Sequence, residues 1–205
     1  MNKICYIISA GDCSGINFIK EKNDYVIAAD GGYQYALDMK IDIDMVIGDF
    51  DSLGYVPQVD NVVSFEPEKD DTDTLLAIKE GEKLGYREFV LYGALGGRRL
   101  DHSISNIQSL LYLSKKGLKG TIIDEQTTIT AVSDGNIVLP KREKGYFSVF
   151  SFSTKAVGVT ITNAKYCVDD AELSNDFPVG VSNEFVGEHP VISVKKGDLI
   201  IMWQR

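Results

Sequence analysis

This 205-residue sequence predicts an α/β half followed by an all-β half, and three observations carry that expectation. Up to about residue 122, short apolar runs rich in Val and Ile alternate with helical patterns, as in buried parallel strands joined by helices. Beyond that point helical spacing disappears. Short alternating segments follow, separated by turn signals such as Asp134-Gly135-Asn136 and Lys196-Gly197-Asp198, the pattern of an antiparallel sandwich or barrel. Finally, four consecutive strand ends of the first half carry Asp, Gly or Arg, and open parallel sheets bind ligands beyond the carboxyl ends of their strands. The division falls near residues 125–135 and is placed as 1–125 and 126–205; no internal repeat, low-complexity tract or long linker interrupts it.

The run 4–10 reads as the first strand. Residues 25–29 form the second and lead at once into Asp30-Gly31-Gly32. Met45-Val46-Ile47 ends at Gly48-Asp49-Phe50-Asp51-Ser52, and the run 61–65 leads past Pro67 into Lys69-Asp70-Asp71-Thr72-Asp73. Thr72 then suits an N-cap, and 73–84 places Ala77, Gly81 and Leu84 on one helical face beside Ile78, with Gly85 as the stop. The run 89–92 opens onto Gly93-Ala94-Leu95-Gly96-Gly97-Arg98-Arg99-Leu100-Asp101-His102. A second helix begins at Asp101 or Ser103 and runs to Lys115, with Ile104, Ile107 and Leu111 on its apolar face and Gly117 as the stop. Both helices start at loops rich in candidate chemistry, where backbone amides and the helix dipole favour a bound phosphate. In the second half the expected strands are 127–132, 137–139, 146–152, 157–161, 191–194 and 199–203.

The composition, 44% hydrophobic, is enough to bury a real core. A formal charge of −9 argues against binding a nucleic-acid backbone, although metal ions can still let an acidic site hold a polyphosphate. Three cysteines without CxxC spacing suggest reduced thiols in a cytoplasmic protein rather than a disulfide framework or a zinc site, with Cys5 a small core residue. The opening apolar run is short for a signal peptide. No apolar stretch approaches the roughly 20 residues of a membrane span.

The acids carry the chemistry. A D-x-D spacing in extended chain puts Asp49 and Asp51 on the same side, where two close carboxylates repel unless a cation sits between them. Hard oxygen ligands at a strand end suit Mg²⁺, which usually arrives with a polyphosphate; a solvated Asp-rich turn is the plainer alternative for the loop by itself. No G-x-x-x-x-G-K-[ST] occurs, which disfavours a P-loop kinase, and Gly93-Ala94-Leu95-Gly96-Gly97 lacks the dinucleotide fingerprint.

Taken in order, Asp30-Gly31-Gly32, Gly48-Asp49-Phe50-Asp51-Ser52, Lys69-Asp70-Asp71-Thr72-Asp73, Gly96-Gly97-Arg98-Arg99-Leu100-Asp101-His102 and Gly180-Val181-Ser182-Asn183-Glu184 resemble the thiamine pyrophosphokinase family across residues 28–203. The resemblance implies a Rossmann-like parallel α/β catalytic domain that binds ATP and Mg²⁺, followed by a C-terminal antiparallel β-sandwich that binds thiamine. It further implies a homodimer with the active site shared at the interface, and transfer of the diphosphoryl unit of ATP to the thiamine hydroxyl. Under it, Asp49, Asp51, Asp70 and Asp73 are metal ligands, while Asp71 falls in a variable slot. Asp30, Gly31, Gly32, Arg98, Arg99, Asp101 and His102 are assigned to ATP. Lys69 reaches a phosphate, Asp101 or Asp73 orients the hydroxyl or takes its proton, and Ser182, Asn183 and Trp203 are assigned to thiamine. The family pattern has one residue between Arg and Asp; here, counting back from Asp101 selects Arg99 as the phosphate ligand and counting forward from the glycines selects Arg98, with Arg99 preferred. The rival readings are an Mg²⁺-dependent phosphohydrolase using Asp49 or Asp51, and a thiamine- or nucleotide-binding protein without turnover.

Overall fold

The computed structural model describes residues 3–14, 16–50, 53–66, 70–97 and 99–205. The chain forms two compact units, one of residues 1–109 and 118–125 and the other of residues 110–117 and 126–205.

The first unit runs β1 (Ile4–Ile8), β2 (Tyr25–Ala29), α1 (Gly32–Asp38), β3 (Met45–Gly48), β4 (Val62–Ser64), α2 (Asp73–Lys83), β5 (Glu88–Tyr92), the start of α3 (Leu100–Lys115), and β6 (Lys119–Ile123). Its strands lie in the order β4-β3-β2-β1-β5-β6 and every pairing is parallel. Ile7 is fully buried between Ile27 and Leu91 in the neighbouring strands. Helices cover both faces, so the central strands are apolar without alternation, and each fully buried Ile or Leu contributes roughly 1.5–3 kcal/mol. From β1 the chain adds strands to one side, then returns through α2 to place β5 on the other side of β1. That reversal opens a crevice beyond the carboxyl ends of β1 and β5.

The sequence pattern misses α1 because seven residues are too few to establish a period. In α2, Thr72 caps the helix by accepting from the Leu75 amide, and Thr74, Ala77, Ile78 and Gly81 are buried. Leu84, expected on that face, is instead the exposed C-cap, because the helix ends one residue earlier and Gly85 turns the chain at φ +82°. The buried face of α3 also differs from expectation. Ser103, Asn106, Ser109, Leu110 and Leu113 are buried, while Ile104 is half exposed. Hydrophobic spacing selects the wrong stripe here because the first turns of the buried face line a polar cavity rather than a core.

The second unit contains β7 (Thr127–Ser133), β8 (Asn136–Val138), β9 (Tyr146–Ser151), β10 (Lys155–Thr162), β11 (Val168–Ser174), β12 (Asn183–Glu184), β13 (Val191–Ser193) and β14 (Asp198–Gln204). These strands make two antiparallel layers, β12-β9-β14-β7 and β11-β10-β13-β8. One core containing Phe147, Val149, Ala156, Val159, Ile192, Leu199 and Ile201 joins the layers, which makes the unit a sandwich rather than a barrel. In β9, buried Phe147, Val149 and Ser151 alternate with more accessible neighbours, as the period of two requires. The sequence reading omits β11, whose Asp169, Asp170 and Glu172 weaken its apolar signal and blunt a sheet edge.

Candidate active site

A cavity of about 790 Å³ occupies the crevice of the first unit, lined by the ends of β1, β2 and β5 and the N-terminal turns of α2 and α3. Three backbone hydrogen bonds zip the β1 and β5 loops together: Ser9 N to Tyr92 O at 2.9 Å, Gly11 N to Gly93 O at 2.7 Å and Asp12 N to Leu95 O at 2.7 Å. The zip demands glycine. A Cβ on Gly11 would stand 2.3 Å from Leu95 O, and one on Gly93, at φ +61°, would stand 2.3 Å from Ser9 O. The resulting narrow backbone floor and the α3 N-terminus are suited to an anion.

Side chains brace this floor from both helices. The Ser9 and Thr74 hydroxyls share a 2.9 Å hydrogen bond that ties β1 to α2. The buried Asn106 amide donates to Ala94 O at 2.8 Å and ties α3 to the β5 loop. Cys13, also in the wall, is held as a thiol, its pKa pushed up to about 12 by burial and by the charge of Asp12. It is therefore no nucleophile.

Asp30 reaches the cavity through strained backbone and Asp73 from a regular helix start. Asp30 ends β2 at φ +47°, and its amide donates to Ile47 O at 2.8 Å, which sets it beside the Gly48 backbone. Phe50 is at φ +61°, with its ring buried against Ala28, Tyr33 and Val46, so packing holds a conformation that a bulky residue rarely adopts. Its neighbour Asp49 is half-buried. Asp73 lies in the first turn of α2, where its charge complements the helix dipole.

The structure brings Asp30, Asp73, Arg99 and His102 together in the cavity lining, whereas Asp49, Asp70 and Asp101 lie outside that lining. Gly31 caps α1, and a Cβ on Gly32 would stand 2.0 Å from Ile8 O, so both glycines serve the β2-to-α1 turn. Asp71 accepts from Lys79 at 2.5 Å. Asp51, Lys69 and Arg98, all assigned to the site by their motifs, fall outside the described residues. Among the described residues no three His, Cys, Asp or Glu side chains gather as a metal cage. Mg²⁺ does not need one: it is commonly held by one or two carboxylates together with substrate phosphates, and Asp30 and Asp73 supply the oxygen donors that this requires.

Arg99 donates to Asp101 Oδ2 at 2.9 Å, and this bond holds the Asp101 carboxyl below its usual range. Both side chains are largely exposed.

In the second unit Ser182 is exposed at φ +61°. The following Asn183 is buried, and its amide is engaged with backbone: Oδ1 accepts from Tyr166 N at 3.0 Å and Glu184 N at 2.8 Å, and Nδ2 donates to Tyr166 O at 2.7 Å. Trp203 is half-buried and packs against the sandwich core.

Sequence reasoning missed the loop after β1, including Ser9, Gly11, Asp12 and Ser14, although Gly11 follows an apolar run just as the recognised motifs do. It also missed Tyr35, Met39 and Asn106 in the lining. Nothing local marks those three, because fold topology alone brings them to the crevice.

The family model described as thiamin pyrophosphokinase, catalytic domain, matches residues 17–122, and the one described as thiamin pyrophosphokinase, vitamin B1 binding domain, matches residues 135–199. The chain is 31% identical over 139 residues to a thiamine pyrophosphokinase of Bacillus subtilis, a match that covers 67% of this chain and 64% of that relative. It thus spans somewhat less than two thirds of the curated relative's length. Among solved structures it is similar to a thiamine pyrophosphokinase from Bacillus subtilis, with a TM-score of 0.87 and 27% identity, covering 99% of both chains. The thiamin pyrophosphokinase of Geobacillus thermodenitrificans, at TM-score 0.85 and 24% identity over 98% of this chain and 97% of its own, shares the fold.

Proposed function

The chain belongs to the thiamin pyrophosphokinase family, and from that premise we propose that it transfers the diphosphoryl group of ATP to the hydroxyl of thiamine, giving thiamine diphosphate and AMP. The observation that carries this reading is the single cavity lining that joins Asp30, Asp73 and Arg99 to a glycine floor and two helix N-termini. The thiamine oxygen bonds to the β-phosphorus, the bond from that phosphorus to the oxygen bridging the α-phosphate breaks, AMP leaves with that oxygen, and the hydroxyl proton is released.

Asp30 and Asp73 are the proposed Mg²⁺ ligands, while Asp49 and Asp70 of the motifs stand outside the cavity lining and add only to the negative charge around the ion. The ion supplies neutralisation of phosphate charge when bound. Arg99, Arg98, Lys69, His102 and the α3 amides hold the phosphates, with Gly31 and Gly32 shaping the turn at Asp30. Charge spreads over the phosphoryl oxygens in the transition state, so these groups act by fixed electrostatics rather than by bonding. Asp101, paired with Arg99, orients the hydroxyl, and Asp73 is the other candidate for its proton.

The reading assigns ATP and Mg²⁺ to residues 1–125 and thiamine to residues 126–205, through Ser182 and Trp203, with Asn183 shaping that segment. It includes a homodimer, which light scattering of the purified chain tests, a site shared between its subunits, which recovery of activity on mixing inactive Asp49 and Ser182 variants tests, and a cytoplasmic location. No helix among the described residues is long and apolar enough to cross a membrane.

A coupled assay decides the chemistry. AMP should form only when ATP, thiamine and Mg²⁺ are all present, and excess chelator should abolish it. Phosphate release without thiamine would identify a hydrolase, and ligand binding without either product would identify a binding protein.

A further inference from the structure

We infer that Tyr35 and Met39 form the wall on which the base of the nucleotide stacks. This rests on the diphosphoryl-transfer reading and adds the residues that would recognise the non-reacting end of ATP. The two side chains stand one helical turn apart, on a face of α1 different from the one that buries Tyr33 and Ala36. They are 41% and 45% exposed, and both line the cavity. A scattered exposed Tyr or Met needs no explanation, but a matched pair in the wall of a ligand cavity does.

The rest of the lining leaves them one role. Among its described residues, Tyr35 and Met39 are the only large apolar side chains; the others are small, hydroxylic, amide-bearing or charged. Arg99, His102 and the glycine floor suit phosphates, and Asp30 and Asp73 suit the cation that accompanies them. A flat base needs an aromatic or polarisable surface; Arg99 and His102 could stack but are assigned to the phosphates, which leaves Tyr35 and Met39 for the base. The whole cavity is built by the first unit, the one that carries the phosphate and metal motifs, so a base rather than thiamine is the expected occupant of this wall. Stacking is tolerant of base identity, so the wall should retain ATP and GTP alike.

Calorimetric titration and steady-state kinetics of Tyr35→Ala, Tyr35→Phe and Met39→Ala test the inference. Tyr35→Ala should weaken ATP binding and raise the KM for ATP about tenfold, the usual order for losing one base–aromatic stack. Tyr35→Phe should stay near wild type, and Met39→Ala should show a smaller loss of the same kind. Binding of inorganic triphosphate with Mg²⁺ and the KM for thiamine should not change. Equal weakening of inorganic triphosphate, a rise in thiamine KM instead, or no change in ATP affinity would each overturn the inference. If the wild type binds ATP but forms no AMP with thiamine, the diphosphoryl-transfer reading fails, and the titrations still decide whether the wall holds the base.

Discussion

The strand ends of the first unit and the Ser182-Asn183-Glu184 segment at the start of β12 share a backbone signature but put their polar atoms to different uses. Asp30 and Phe50 are at positive φ, as is Ser182. In the first unit the strain sits where β2 and β3 end, and Asp30 opens into a cavity of about 790 Å³. In the second, the residue after the strained one is buried and spends its amide on the Tyr166 backbone. An unusual conformation thus marks a place worth inspecting, while burial and hydrogen-bond partners decide whether a side chain faces a ligand or the fold.

The largest expected effect separates acids that line the cavity from an acid that does not. Asp30→Asn and Asp73→Asn should each lower kcat by about 10²–10³-fold, because each removes a fixed charge that is aimed at the phosphates. Asp70→Asn, exposed and outside the lining, should lower it less than tenfold. Thermal melts should coincide with wild type for Asp30→Asn and Asp70→Asn and fall by no more than a few degrees for Asp73→Asn, whose charge also complements the α2 dipole. A loss for Asp70→Asn as large as that for Asp73→Asn would show that the cavity lining does not define the metal site.

Most of the fold was legible because its signals are local and periodic. The apolar runs of β1, β2, β3, β5 and β14 and the alternation of β9 stand in the sequence as they stand in the structure. The Thr72 cap and the stops at Gly85 and Gly117 follow from local backbone needs and were equally readable. The misses have physical causes. Helix α1 is too short to show a period, β11 is masked by its edge-protecting charges, and α3 buries Ser103 and Asn106 because a polar cavity lies under its first turns. The site was half legible. Asp30, Asp73 and Arg99 announced themselves by motif, whereas Ser9, Asp12, Tyr35 and Asn106 reach the same cavity only through the order of strands.

A second experiment sharpens the comparison inside the Ser182 segment. Asn183→Ala leaves the Tyr166 N–H and C=O without their side-chain partner, which should cost about 1–3 kcal/mol and lower the melting temperature by several degrees. Ser182→Ala removes an exposed hydroxyl and should leave the melt unchanged. Its effect should instead be a several-fold rise in KM for thiamine at nearly constant kcat. If Asn183→Ala raises the thiamine KM with no loss of stability, the amide belongs to the ligand and not to the fold.

The smallest effect is expected at Asp198, a carboxylate of the second unit that is committed wholly to structure. Burial alone would raise its pKa, but the Lys115 ion pair at 2.8 Å and the hydroxyls of Ser133 and Ser153 outweigh that and lower it. A folded-state pKa below the unfolded value, about 3.9, contributes stability that is present above that value and is lost as pH falls through the folded pKa. Lys115 is more than half exposed, so solvent screens the pair, and Lys115→Met should cost only about 0.5–1 kcal/mol at pH 7. Part of that cost is independent of Asp198, because Lys115 also complements the C-terminal dipole of α3, and this part should persist in acid. Urea unfolding of wild type and Lys115→Met at pH 7 and at pH 3 separates the two contributions. The gap between the proteins should narrow at pH 3 as Asp198 takes up its proton; a gap of the same size at both pH values would mean that the ion pair contributes nothing and that the helix dipole accounts for the whole effect.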